Sequence, residues 1–414
     1  MSCHNVGVTP PSSPSQPEGQ LRRTLSLPLL VLYGLGVTVG AGVFALVGEI
    51  LSSAGDQAPL AFLVAGVIAG LTGISYMALV AQFPQAGGEA VYVRNGVGNA
   101  AGRLVGLGVV ITGVISSAVV ALAFAGYAST LVAVPERVMA VGIVALLCAV
   151  AWWGVRESVV LAAVVTVLEV GTLLVVVGFG IPAFKAEAIA PSFNLFADGA
   201  IGPVFAGAGI AFFAFIGFED IANMAEETID PRRTTPRAIA WTLGVTLIVY
   251  VALAVIAASL ANRSEITESS APMTVIFSEV SGLNSAPIAT IASFAMVNGI
   301  LVQIVMASRV LYGMASDGQL PGALAVVNQV HQTPARATML VGFAIVVLAV
   351  FFPLVSLAKA TSIITLIVFT LVNIALVRLT RTDRALARKR WLVVGLLGAG
   401  ASAGLGAWQV VVLF

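Results

Sequence analysis

The stretch that decides the fold reads Ile210-Ala211-Phe212-Phe213-Ala214-Phe215-Ile216-Gly217-Phe218-Glu219-Asp220-Ile221-Ala222-Asn223-Met224-Ala225-Glu226-Glu227-Thr228-Ile229-Asp230-Pro231-Arg232-Arg233. An apolar run is broken by glycine at Gly217, turns acidic and then basic. The surrounding chain of 414 residues is 59% hydrophobic and 9% charged. In lipid, backbone amides and carbonyls freed by a helix break find no partner, so a break survives only against protein or a water-filled cavity. The break at Gly217 therefore marks a candidate binding site within a membrane protein.

Working outward, the mean hydropathy is +1.04, above the range of soluble domains. Apolar stretches of about 20 residues recur, long enough to cross a bilayer core of roughly 30 Å as helices. An outer-membrane barrel would show alternating segments of ~10 residues instead. The hydropathy predicts an all-α integral membrane protein of about eleven spans: 27–53, 59–82, 103–134, 138–155, 159–184, 203–226, 237–261, 286–316, 337–354, 356–379 and 391–413.

Residues 1–26, with Pro10, Pro11, Pro14 and Pro17 among serines and glutamines, read as a disordered cytoplasmic tail. A signal peptide is not expected there. Cys3 lies in that tail and Cys148 in an apolar span, so no disulfide framework follows. His4 and His331 fall outside the spans, which excludes histidine-based catalysis or metal binding inside the membrane. No cofactor, metal or nucleic-acid partner is expected, and without a phosphate-binding loop direct use of ATP is not expected either.

With a cytoplasmic N-terminus, Arg137, Lys185, Arg263 and Lys359 face outward and the remainder of the 20 Lys and Arg face inward. That bias supports a cytoplasmic (inner) membrane protein with the N-terminus inside. The cluster at Arg378, Arg381, Arg384, Arg388, Lys389 and Arg390 is read as a topology signal, with lipid head-group binding as the alternative.

The first span carries Gly34, Gly36, Gly40 and Gly42, and the sixth carries Gly202, Gly207, Gly209 and Gly217. Each glycine weakens a helix by about 1 kcal/mol relative to alanine. Spans one and six hold corresponding places if the chain is two five-helix halves, and paired interrupted spans point to a transporter's central site. Close helix packing is the other use of glycine in membranes, and it suits the isolated Gly395, Gly398 and Gly404.

Four motifs carry a family resemblance. They are Gly40-Ala41-Gly42-Val43-Phe44; Phe83-Pro84-Gln85-Ala86-Gly87-Gly88-Glu89-Ala90-Val91-Tyr92-Val93-Arg94; the span-six stretch quoted above, through Pro236; and Ser308-Arg309-Val310-Leu311-Tyr312-Gly313-Met314-Ala315-Ser316-Asp317-Gly318-Gln319-Leu320-Pro321. In this order they resemble the amino acid–polyamine–organocation superfamily of permeases, with Ala90 where an aromatic is usual. The resemblance implies a LeuT-type fold: a core of 5+5 inverted repeats, 27–184 and 203–379, with spans one and six broken. Segment 391–414 is then an additional helix. It further implies secondary transport of amino acids across the cytoplasmic membrane by alternating access. An amine or polyamine carrier and an amino acid exchanger are the alternatives of the same fold.

A broken helix offers amides for a carboxylate and carbonyls for an ammonium. The substrate carboxylate is expected at Gly40, Ala41 and Gly42. Its ammonium is expected near the carbonyls of Val37, Thr38, Phe213, Ala214 and Ile216. Its side chain is expected to face Ser116, Ser117, Phe213 and Phe215, with Phe213 either a gate or ordinary packing.

Two acids are proton-coupling candidates. Glu169 falls mid-span, where many members of the superfamily carry a lysine; an intramembrane carboxyl should face the bundle interior. It reads as a proton-coupling site, a cation-binding carboxylate suited to a second ammonium, or a protonated acid that glues helices. Glu219 reads as a proton carrier or as the acid that ends the unwound segment. Glu226, Glu227 and Asp230, with Arg232, Arg233 and Arg237 and with Arg94 or Arg309 as further partners, are expected to form a cytoplasmic ion-pair network, or else a solvated loop.

Overall fold

A computed structural model of the chain describes residues 23–85, 87–154, 159–183, 193–195, 199–328, 331 and 333–413. Most of the N-terminal tail, including Cys3 and His4, lies outside the described residues, as do Ala86, Arg156, Lys185 and Phe414.

Apolar sequences rich in Leu, Val and Ala, punctuated by Pro and Gly, fold into helices whose first turns hold Pro28, Pro59, Pro231, Pro272 and Pro287. Proline suits that turn because its missing N–H has no intrahelical partner there. The order is α1 Leu27–Ala54, α2 Ala58–Gln82, α3 Gly88–Gly96, α4 Asn99–Ser129, α5 Glu136–Trp153 and α6 Val159–Gly180. Then come α7 Ile201–Ala211, α8 Asp220–Asn223, α9 Pro231–Ser259, α10 Arg263–Glu268 and α11 Pro272–Ser281. The chain closes with α12 Ala286–Ser316, α13 Ala335–Phe351, α14 Leu354–Thr382 and α15 Lys389–Leu413.

Among the described residues, nine stretches are long and apolar enough to cross a membrane. The first, Leu27–Gln82, holds both α1 and α2, and the 17-residue α13 is shorter than that criterion. The short helices α3, α10 and α11 fall where the hydropathy reading left loops. Helix α4 starts at Asn99 rather than 103 and ends at Ser129, five residues before the expected limit, because Pro135 and exposed residues 130–134 form a turn.

Helix α1 runs through the middle and packs on α6, α7, α9 and α12; α2 covers α7 and α9. The apolar windows of Leu27–Gln82 and Ile201–Asn223 are each 67% buried, against 22% for Glu136–Trp153. Both glycine-interrupted spans thus run through buried surroundings, where neighbouring protein can satisfy a break. On the outside, Ile248, Phe294, Phe343, Phe351 and Val411 are 67–74% exposed. Water would penalise such a belt, and lipid accommodates it.

One backbone clamp lies outside the helices. Thr24 N–H and Leu25 N–H donate to Glu227 O at 2.8 and 3.0 Å, and Ile229 N–H donates to Leu25 O at 2.9 Å. It ties the residues before α1 to the segment after α8. Of the acidic and basic residues around 226–237, Arg233 pairs with Asp230 at 3.9 Å, both side chains well exposed. An exposed pair at this spacing adds little stability.

Candidate functional site

The site starts from α1. Its backbone is helical except at Gly40, where φ is −21° and ψ −124°. A Cβ placed on Gly40 would meet no atom within 4 Å, so this residue faces open space. Gly42 keeps helical dihedrals, and a Cβ on it would lie 2.7 Å from Ala214 Cα. Of the two glycines expected to unwind the span, Gly40 makes the break. Gly42 is small because span six lies against it.

Span six is interrupted over a longer stretch. Helix α7 ends at Ala211 and a 3-10 turn covers Phe212–Phe215. Ile216 is extended (ψ 137°), Gly217 has φ 122°, and helix resumes at Asp220. A Cβ at Gly217 would stand 2.9 Å from the carbonyl carbon and oxygen of Val37. Only glycine adopts this φ at low cost and admits so close an approach. The two breaks therefore touch, peptide against peptide.

A tyrosine from α9 ties them together. Tyr250 Oη lies 3.0 Å from Thr38 O and 3.1 Å from Ala214 O, donating its proton to this pair of carbonyls. Phe213 O accepts from Ile216 N–H at 3.1 Å. Three of the carbonyls expected to receive an ammonium thus already hold a donor, each with a second lone pair remaining.

Between the breaks lies a cavity of about 70 Å³. Val37, Thr38, Gly40, Ala41, Gly42, Phe213 and Ile216 line it, together with Ser116, Thr166, Asn298 and Gln303. Ala214 is behind the wall against Gly42. Ser117 spends its hydroxyl on Gly113 O at 2.7 Å, and Phe215 stacks edge-on against Tyr250, 5.3 Å between centroids.

Glu169 on α6 is 1% exposed and does not line this cavity. Its Oε2 has no hydrogen-bond partner. Thr166 and Thr172 share its face but bond back to their own helix, at Ala162 O (2.9 Å) and Leu168 O (2.7 Å). The helix of Glu169 packs against α9, which carries Tyr250. Glu219 is 8% exposed and its Oε2 accepts the Gly217 N–H at 2.8 Å, bracing the turn that makes the second break.

A second cavity of about 30 Å³ shares Ile216 and Gln303 with the first. Glu89, Glu219 and Asp220 line it with Thr112 and Thr365. A wider space of about 310 Å³ continues from it past Glu89, Asp220 and Asn223 to Arg309. Burial pushes the Glu89 carboxyl up to about 8, and the nearby Asp220 charge adds to the shift. Among the described residues no set of His, Cys, Asp or Glu is grouped to hold a metal ion.

Sequence reasoning missed Tyr250 and Glu89 as parts of this region. A tyrosine inside an apolar span signals a buried hydroxyl in need of a partner, which was legible. Glu89 read as part of a loop, and only the fold turns α3 inward.

A profile of the amino acid permease family matches residues 25–414. An uncharacterised transporter of Mycobacterium tuberculosis is 33% identical over 94% of this chain and 87% of its own length. The mitochondrial cationic amino acid transporter 3 of Arabidopsis thaliana is 30% identical over 86% of this chain and 62% of its own. A branched-chain amino acid permease of Bacillus subtilis is 26% identical over 90% and 84%.

Proposed function

The chain belongs to the amino acid permease family, and from that premise we propose that it is a secondary active amino acid transporter, coupled to protons and working by alternating access. The family consists of permeases rather than enzymes, and the multi-pass apolar helices fit a membrane transporter. In this reading the core is two inverted five-helix repeats, 27–184 and 203–379, followed by the helix at 391–414. The lysine and arginine bias favours eleven spans in the inner membrane with the N-terminus in the cytoplasm.

The observation that carries the reading is the contact of the two breaks beside a cavity: Gly217 against Val37, with Gly40 open to the space between. The substrate carboxylate binds at the Gly40–Gly42 backbone, and the α-ammonium takes the free lone pairs of the Val37, Thr38, Phe213, Ala214 and Ile216 region. Binding pulls on both broken spans at once, and Tyr250 transmits that change toward Glu169 on α6. Glu169 and Glu219 are the proton-coupling residues.

The test is counterflow in proteoliposomes loaded with unlabelled amino acids. Saturable exchange is expected, whereas a channel gives none. In Glu169→Gln, pH-driven accumulation should be lost and exchange at equilibrium kept. Wild-type accumulation in that variant would remove Glu169 from coupling and leave it as packing.

A further inference from the structure

The second cavity asks what it is for. Glu89 comes from α3, Glu219 from the turn leading into α8 and Asp220 from the start of α8, and they are 3%, 8% and 5% exposed. No lysine or arginine is among the described residues that line it; Arg309 lines only the wider space beyond. Three ionised carboxyls around so small a space would repel one another strongly in a low dielectric unless positive charge joined them. The Gly217 N–H and the Asn223 amide reach Glu219 and Asp220 from the backbone side, without adding positive charge to the cavity.

An independent observation points to a ligand. Thr365 of α14 is 3% exposed, lines this cavity, and its hydroxyl has no hydrogen-bond partner. The Oε1 of Gln303 from α12 is also buried there without a donor. Buried polar atoms without partners are uncommon in folded proteins, and here they gather where negative charge also gathers. What this wall lacks is a group that donates several hydrogen bonds and carries positive charge. An ammonium donates three and is compact. A space of about 30 Å³ holds two water-sized groups, since about 10–15 Å³ of such volume takes one. The cavity adjoins the first through the shared walls of Ile216 and Gln303.

We propose that this acid-lined cavity receives a side-chain ammonium of the transported amino acid, so that the substrate is a diamino acid held by its α-groups at the two breaks and by its distal cation at Glu89, Glu219 and Asp220. The assignment rests on the transport reading above and narrows it to a substrate class. Thr365 and Gln303 accept two of the ammonium hydrogens, and the acids supply the charge.

The experiment compares L-lysine, L-norleucine (the same side chain without the ammonium) and cadaverine (both amines without the carboxylate) on the full-length protein, by thermal shift and by counterflow. Lysine should bind at least about tenfold tighter than norleucine, the scale of one charge-assisted hydrogen bond. Asp220→Asn and Glu89→Gln should each shrink that ratio several-fold. If either variant fails to fold, the wild-type ratio still decides. Norleucine binding as tightly as lysine overturns the assignment and leaves amino acid transport standing. So does a preference for lysine that persists in both variants, or stabilisation by NaCl or KCl alone with lysine and norleucine equal. Cadaverine matching lysine keeps the cation cavity and instead overturns the amino acid reading.

Discussion

The breaks in spans one and six perform the same task by different means. In α1 a single residue, Gly40, leaves helical geometry and no charge is nearby in sequence. In span six the interruption runs from Phe212 to Glu219 and delivers two acids into a buried cavity. The narrow break has open space at its glycine; the wide one has a glycine wedged against another peptide. A glycine count alone therefore does not say how a helix is broken. Whether a glycine faces a void or a backbone decides between a binding surface and a packing contact.

The largest effect should come from the wedged glycine. Gly217→Val places a β-branched residue at φ 122° and drives its Cβ into the Val37 peptide. Backbone strain alone costs on the order of 1–3 kcal/mol. Transport should vanish and the melting temperature should drop. A variant with wild-type melting would show that the two breaks do not need to touch.

The next test separates Gly42 from Gly40. Gly42→Val should also lose stability, because Ala214 lies against it. Gly40→Ala has room for its methyl and should lose less stability than Gly42→Val, yet weaken substrate binding about tenfold or more by displacing a hydrogen-bonded carboxylate. Equal loss of stability in both would erase the distinction drawn here.

The acids below the wide break make lysine binding pH-dependent. Glu89, pushed up to about 8 by burial, is protonated at pH 6–7; Tyr76, Tyr92, Glu219, Asp220 and, across the wider space, Arg309 surround it. A cation favours the ionised carboxylate, so binding expels a proton below that value. Lysine affinity should rise with pH between about 6 and 8, by at most about tenfold per unit for one proton. It should then flatten above pH 8. Glu89→Gln should flatten the profile throughout. A norleucine profile as steep as that of lysine would detach the pH effect from the side-chain cation.

The smallest effect concerns the strap between the breaks. Tyr250→Phe removes the hydroxyl shared by Thr38 O and Ala214 O at about 1 kcal/mol, a factor of about five. Exchange should slow by that order, with the protein still folded. No change in exchange would mean the breaks hold together through Gly217 and Val37 alone.

Much of this was legible in the chain. Hydropathy placed the membrane-length helices to within about six residues at each end, since a span must be apolar along its whole length and that property is local. The motif order pointed to the permease superfamily, and the interruptions at Gly40 and Gly217 were visible as glycine beside polar sequence. Contacts between spans were not legible. Nothing around Gly42 announces that Ala214 will lie 2.7 Å from its Cβ position, and nothing around Glu169 announces Tyr250, 81 positions away in the chain. Glu89 looked like a loop acid until α3 turned it toward Asp220. The sequence by itself determined that this chain crosses a membrane and where its helices break, because lipid imposes the same demand on every span. Only the tertiary structure decided which glycine faces the cavity and which acids share a space, because those depend on how distant helices pack.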